Sequence, residues 1–412
     1  MEQRSKTIDI LRAVAVFLVL GRHLVACPVE VSPFFHRISE VWFCGGWAGV
    51  DLFFVLSGFL VSGLLFREHE KFGCISAKSF LVRRGFKIYP PFWLLIFVTV
   101  AVMVFRNHRF DLKGVVSELL FIQNYGPALW THTWSLAVEE HFYLLLLLFL
   151  LLLSRRWPGA DAFRSVPAVF LVLAIVCLSL RVITPEIAPS HLRMDSLFAG
   201  VFISYLYHFF RDDFLNWGRR HRLKLLLSGM LFFCPAFIFP LGSTPLIITI
   251  GFMLLYVGSG FLLIAALVTP VSRRGPVNAL AYAGSHSYSI YLWHMPIALW
   301  AVPKLNKILG TSENWFIYAG VYLLGSVLFG ILMAALVEFP VLHLRDRLFP
   351  SRGRPLTVSG VKPNEEDESL PSSPGDRDMH APKEQGAIRL KYVPVALPAR
   401  VDIGPGHTKS DV

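Results

Sequence analysis

Charge is what this chain has little of. Only 16% of its 412 residues are Asp, Glu, Lys or Arg, against 54% that are hydrophobic. An ordinary soluble domain carries about a quarter charged residues. With a mean hydropathy of +0.55, the shortage excludes a soluble globular protein and implies an integral membrane protein. Acidic residues are the scarcer, 28 against 39 Lys and Arg, giving a net charge of +11. The cations sit mostly in short loops between apolar runs, where they set topology, so no nucleic-acid partner is expected. The five cysteines, at 27, 44, 74, 177 and 234, make no CxxC and no Cys/His pair at zinc spacing, and no metal site is expected. Cys27 and Cys44 share one expected outer loop, as a disulfide or as two free thiols. An internal repeat is missing, which weakens an inverted-repeat transporter. No small-residue cleavage site follows the first apolar run, so that run is expected to stay in the mature protein.

What is present is a series of apolar runs, at 8–26, 47–66, 86–105, 134–153, 166–183, 192–210, 223–241, 245–268, 279–302 and 316–338. Each is long enough to span by the twenty-residue rule. The expected fold class is an all-α integral membrane protein with about ten transmembrane helices and a central polar cavity, occupying residues 1–350. The ninth run, with His294 and Pro296, is expected to be broken or re-entrant. Lys and Arg concentrate in alternate loops, which places both termini in the cytoplasm. The outer connection 106–133 holds an amphipathic piece, Val115 to Gln123, expected to lie on the membrane or cap a cavity. Residues 351–412, rich in Pro, Gly, Ser and charge, including the acidic run Glu365–Glu368, are expected to form a disordered cytoplasmic tail.

Ionisable groups inside the runs need internal partners, because a charge at the bilayer centre costs at least a few kcal/mol. The first run carries Asp9, Arg12, Arg22 and His23. Arg12 and His23 are eleven positions apart, within roughly 20° of three full turns and about 16 Å along the axis, hence on one face, with the His about half-way through. Asp51, one turn into the second run, calls for a partner that Arg or His of the first run would supply. Arg83, Arg84 and Lys87 open the third run, as a topology anchor or a phosphate-binding cluster. Glu139 and Glu140 point about 100° apart, one inward to orient or balance a cation, the other toward the interface. Arg193 and Asp195 pair locally or line a cavity mouth, and Glu338 is expected to pair with a loop cation. Gly58 and Gly63 would let another helix approach closely. The stretch Gly284 to Pro296 is dense in Ser, Tyr and His and favours a hydrated cavity. Two classes fit: a transporter or channel, and an intramembrane enzyme.

Five ordered stretches carry a resemblance: Asp9-Ile10-Leu11-Arg12 followed by His23, GVDLFFVLSGFL from Gly49, RRGFKIYP from Arg83, TWSLAVEEHFYL from Thr133 and SYSIYLWHMP from Ser287. In these the chain resembles the membrane-bound acyltransferase family 3, which includes bacterial O-antigen and other surface-polysaccharide O-acetyltransferases. The resemblance implies transfer of an acyl group, commonly acetyl from acetyl-CoA, to a hydroxyl of a carbohydrate or glycoconjugate. The enzyme would be a multi-pass protein of the inner (plasma) membrane, in contact with membrane lipid, and would hold no cofactor tightly. It makes His23 the essential His, as base or acyl relay, with Arg12 its pair and Asp51 or Glu139 setting its tautomer. Arg83, Arg84 and Lys87 would hold the CoA phosphates. Many members have a further Arg where this chain has Phe86 and Lys87, and Lys keeps the charge without the two-pronged geometry. The competing reading is an exporter of a polar or lipid-linked sugar. The acceptor is not legible.

Overall fold

The structure, a computed structural model, describes residues 6–107, 109–157, 160–270, 275–309 and 314–349; the tail 351–412 lies outside the described residues. Among these the chain is helical throughout, without a strand. In order the helices are α1 (Lys6–His23), α2 (Pro33–Gly45), α3 (Ala48–Phe72), α4 (Ala77–Phe105), α5 (Leu112–Leu119), α6 (Trp134–Arg156), α7 (Val166–Ile183), α8 (Met194–Phe209), α9 (Arg211–Ile238), α10 (Phe252–Leu267), α11 (Gly275–Ser285), α12 (Ser287–Pro296), α13 (Val302–Leu309), α14 (Trp315–Met333) and α15 (Phe339–Leu348). Wide π-helical turns at Ile247–Gly251, Ile297–Ala301 and Ala334–Glu338 flank α10, α12 and α14.

Local chemistry sets the ends. Ser32 caps α2 by accepting from the Phe35 amide, with Pro33 at the first position, where its missing N–H costs nothing. Gly73, at φ +68°, closes α3 in the left-handed conformation that side chains resist. Ser76 then caps α4, and Asn314 caps α14 through the Phe316 and Ile317 amides. Within α4, Pro90 and Pro91 remove two amide donors. Two residues before them the Ile88 carbonyl accepts the Tyr288 hydroxyl of α12 at 2.8 Å.

Each of the ten apolar runs falls on helix. Seven stretches among the described residues are long and apolar enough to cross a membrane: Ala48–Phe72, Ala77–Phe105, Thr131–Arg156, Val166–Ile183, Arg211–Ile238, Ile247–Leu267 and Trp315–Leu348. The other three runs fall on α1, on the 16-residue α8, and on α11 and α12. The ninth run is indeed broken, at His286, with a π turn after Pro296. The first run stops earlier than its hydropathy suggests. α1 ends at His23, so that residue closes the helix.

α1 lies inside the bundle, packed on α2, α3, α10, α11 and α12. α3 and α8 cross most closely, where a Cβ on Gly58 would strike the Leu197 carbonyl and one on Gly200 the Val55 carbonyl. Small residues thus set the approach, as packing between membrane helices favours. Exposed Leu171, Val172, Ile175 and Val176 on α7, and Leu223, Leu227 and Leu231 on α9, give the outer faces an apolar character suited to lipid. Cys27 and Cys44 are separate thiols. α5 is shorter than expected and turns Glu118, not an apolar stripe, into the protein. A depression of about 390 Å³ lies between Pro185, Ile187 and Ala188 on one side and Leu241, Gly242 and Ile248 on the other.

Candidate active site

Three imidazoles meet at the end of α1. His23 Nδ1 lies 3.1 Å from the Val19 carbonyl and 3.2 Å from His294 Nε2. The rings of His23 and His294 are 4.9 Å apart, and those of His132 and His294 5.0 Å. Partners assign the protons, because a carbonyl only accepts. His294 Nδ1 faces the Tyr291 carbonyl and must donate to it, leaving a lone pair on Nε2. His23 Nδ1 therefore carries a hydrogen, shared between Val19 and His294. In neutral His23 the remaining nitrogen, Nε2, holds the lone pair. His132 donates from Nε2 to the Leu292 carbonyl at 3.3 Å. The Tyr291 hydroxyl donates to the His132 carbonyl and accepts from Ser135 Oγ at 2.6 Å.

A second polar layer lies nearer the start of α1 and is ionic. Glu139 accepts from Ser57 Oγ at 3.0 Å and from the Tyr143 hydroxyl at 2.8 Å, with Arg84 and Arg12 in electrostatic range. Glu140 accepts from Tyr89 at 3.1 Å. The Arg84 guanidinium stands 4.5 Å above the Tyr143 ring. Neither carboxylate reaches the interface: each has a tyrosine partner within the bundle. Arg12 lies 3.9 Å from Asp9 on its own helix. Glu338, expected beside a loop cation, instead accepts from Ser289 at 2.8 Å.

Asp51 is not held by the first helix. It lies 2.7 Å from Arg193 and accepts from Ser196 Oγ at 3.1 Å. Beside it Arg181 and Asp195 pair at 2.6 Å. All four ionic side chains are buried, and the Arg193 guanidinium lies 3.7 Å over the Phe252 ring. Arg193 and Asp195 therefore each pair with another helix rather than with one another. A neutral cluster of two cations and two anions keeps both charges of each pair desolvated without an orphan. Its geometry gives Asp51 a positioning role in the packing of α3 against α7 and α8, rather than a place at His23.

The basic stretch of α4 divides by helix geometry. Arg83 and Lys87, four apart, share a face, and Arg83 approaches Asp346 of α15 at 4.0 Å. Arg84 turns inward to the Tyr143 and Glu139 layer. Outside the spans, Glu118 Oε1 accepts from the Trp130 amide at 2.8 Å and Thr133 Oγ1 at 3.1 Å. Those residues flank His132, so Glu118 fixes the turn that presents it. Burial pushes the Glu118 carboxyl up to about 7.

An acyltransferase family 3 profile, described as an acyltransferase domain, matches residues 5–335. The chain belongs to this family. Among relatives, the peptidoglycan O-acetyltransferase OatA of Listeria monocytogenes is 27% identical over 329 residues, covering 73% of this chain and 50% of the relative. YrhL of Bacillus subtilis, named as a candidate peptidoglycan O-acetyltransferase, is 26% identical over 349 residues, covering 75% and 51%. A candidate O-acetyltransferase of Staphylococcus aureus strain COL is 26% identical over 330 residues, covering 70% and 50%. The chain spans about half the length of the curated relatives it matches. No solved structure matches it.

The matched region of this acyltransferase-family chain holds the residues of both layers apart from Glu338. The fold brings His23 together with His294, and Arg12, Arg84 and Glu139 together in the ionic layer; Asp51 pairs with Arg193 and Arg83 approaches Asp346. Sequence reasoning missed His132, Ser135 and Tyr291, and gave His294 no role. A signal was available: His132 directly precedes the TWSLAVEE stretch, and Tyr291 and His294 lie inside SYSIYLWHMP.

Proposed function

We propose that this acyltransferase-family chain is a membrane O-acyltransferase that moves acetyl from acetyl-CoA to a hydroxyl of a cell-wall or surface polysaccharide. It would cross the plasma membrane about ten times, with both ends in the cytoplasm. The observation that carries the reading is the hydrogen-bond order at α1, which leaves the lone pair of neutral His23 on Nε2 and backs its Nδ1–H with His294. That is the arrangement of a general base held by a second acceptor. The peptidoglycan named for the relatives makes that polymer the first acceptor to test.

The donor phosphates would lie at Arg83, Arg84 and Lys87, on the cytoplasmic side. His23 Nε2 takes the proton of the acceptor hydroxyl, whose oxygen attacks the thioester carbonyl. The C–S bond breaks, and the thiolate leaves with the proton from His23. As a relay, the same Nε2 attacks the thioester carbonyl first, the C–S bond breaks and the thiolate leaves; the hydroxyl then attacks the acetyl group on Nε2, and its proton passes to the freed Nε2 and on to the thiolate. The test is transfer of labelled acetyl from acetyl-CoA to peptidoglycan fragments by the purified chain. His23→Gln should lose about 10²- to 10⁴-fold in rate with an unchanged melting profile. Transfer at the wild-type rate overturns the assignment.

A further inference from the structure

A second nucleophile–base pair lies away from His23. Ser190 opens the short turn before α8, and its Oγ is 2.7 Å from His141 Nδ1 on α6. The same Oγ accepts from Asn124 Nδ2 at 2.8 Å, and that amide also reaches the Ala188 carbonyl at 3.3 Å. The Ser190 hydroxyl keeps its own hydrogen after accepting from Asn124, and in the His141 tautomer protonated at Nε2 it donates to Nδ1, so that the order runs Asn124 to Ser190 to imidazole. His141 Nδ1 is thereby an acceptor in line with a serine proton, the relation that activates a hydroxyl for attack.

The surroundings hold this pair still. The His191 amide donates to the Tyr125 hydroxyl at 3.3 Å, and Tyr125 packs on both His191 and His141, 5.8 and 6.1 Å between ring centroids. The next residues are tied by Arg181 to the Leu192 carbonyl at 2.7 Å and by Arg193 to Asp51. Ser190 is buried and His141 half-buried, while Tyr125 and His191 are exposed above them. Ala188, whose carbonyl Asn124 holds, forms part of the wall of the 390 Å³ depression, with Ile187, Leu241 and Ile248 as an apolar lining. An acyl chain or apolar tail would find room there, two residues along the chain from Ser190.

We propose that Ser190, with His141 as its base, is a second acyl-accepting site that takes an acyl group from an acyl thioester and passes it to a hydroxyl. The Ser190 oxygen adds to the thioester carbonyl as His141 Nδ1 takes its proton. The C–S bond then breaks, the thiolate leaves with that proton, and an ester remains on Ser190. An incoming hydroxyl reverses these steps: its proton goes to His141, the acyl group moves to its oxygen, and Ser190 recovers the proton. No redox change occurs. The site stands on its own geometry and does not depend on the role given to His23.

The test treats the purified full chain in detergent with p-nitrophenyl acetate, an activated ester, and in parallel with acetyl-CoA. Acetylated peptides are then located by tandem mass spectrometry. The expected result is an acetyl ester on Ser190, absent from Ser190→Ala, carried as a thioester by Ser190→Cys, and formed about 100-fold more slowly in His141→Gln. Glutamine keeps a hydrogen-bonding group against Ser190, so that variant separates a lost base from a lost fold. A wild-type protein that melts cooperatively yet carries no acetyl on Ser190 overturns the proposal, as does an unchanged rate in His141→Gln. The activated ester needs no CoA site. Loss of acetyl-CoA-dependent transfer with the Ser190 ester retained would therefore count against the His23 reading alone.

Discussion

Neutralising Asp51 tests the buried ionic cluster. Asp51→Asn keeps the shape and the Ser196 contact but leaves Arg193, 1% exposed, without the carboxylate that lies 2.7 Å away. Breaking a buried pair from one side costs about 3–5 kcal/mol, because the remaining charge is desolvated without compensation. The retained Ser196 contact puts Asp51→Asn near the lower figure. Arg193→Met strands Asp51 and also removes the cation from the Phe252 ring, which puts it near the upper one. The double variant strands neither charge. Its cost should fall short of the sum of the two single costs by at least about 2 kcal/mol, within the range that contacting residues show in double-mutant cycles. Denaturant unfolding in detergent, followed by tryptophan emission, reads the four corners of the cycle; Trp134 lies 5.9 Å from the Arg193 guanidinium and reports locally. A coupling under about 0.5 kcal/mol would refute the reasoning, since it would mean that the two charges are solvated independently.

Three further outcomes are expected. Glu118 is protonated in the folded chain and ionised in the unfolded one between about 4.5 and about 7. Folding takes up a proton in that window, and stability falls as pH rises through it, by up to about 3 kcal/mol; Glu118→Gln should flatten the profile of unfolding midpoint against pH. Gly284→Ala would drive a methyl into the Asp9 carbonyl and Ala13 amide of α1, costing about 1–3 kcal/mol and lowering the same midpoint, whereas Gly275→Ala, with open space around it, should not. Arg84→Ala should weaken CoA binding by about tenfold or more, as loss of a charge-assisted hydrogen bond does, read by titration calorimetry; unchanged affinity would leave Arg84 as an internal counter-charge to Glu139.

What was legible in the sequence followed from backbone chemistry. A chain in lipid must satisfy its amides internally, so apolar runs become helices wherever they lie, and all ten runs did. The break in the ninth was readable from Pro296 and the polar residues before it. Partner choice was not readable, because it depends on which helices touch. Asp51 looked for a cation on α1 and found Arg193, 142 positions away, because Gly58 and Gly200 bring α3 and α8 together. His132 carried no periodic signal, since it lies in a three-residue turn whose position is set by Glu118 from an outer helix. One of Glu139 and Glu140 was expected at the interface from the angle between them, without account of Tyr89 arriving from α4.

The two polar layers keep the same order on three helices, which argues against chance clustering. Along α1, Arg12 precedes His23 by about 16 Å. α12 runs alongside: Gly284, just before it, abuts Asp9, and His294 meets His23, so Tyr288 belongs to the ionic layer and Tyr291 and His294 to the imidazole layer. α6 runs the other way, with Ser135 on Tyr291 and then Glu139 and Tyr143 in the ionic layer. The layers differ in charge. Arg12 and Arg84 face Glu139 and Glu140, whereas the hydrogen-bonded groups of the imidazole layer, three imidazoles with Tyr291 and Ser135, are neutral in their assigned tautomers. A proton taken up by His23 therefore creates a charge where no hydrogen-bonded partner carries the opposite one. Its local support is the lone pair of His294 Nε2, itself fixed by the Tyr291 carbonyl. On the base reading, His294 thus shares with the Val19 carbonyl the holding of His23 in its reactive tautomer, and His294→Phe should lower the transfer rate while leaving CoA affinity, set in the other layer, unchanged.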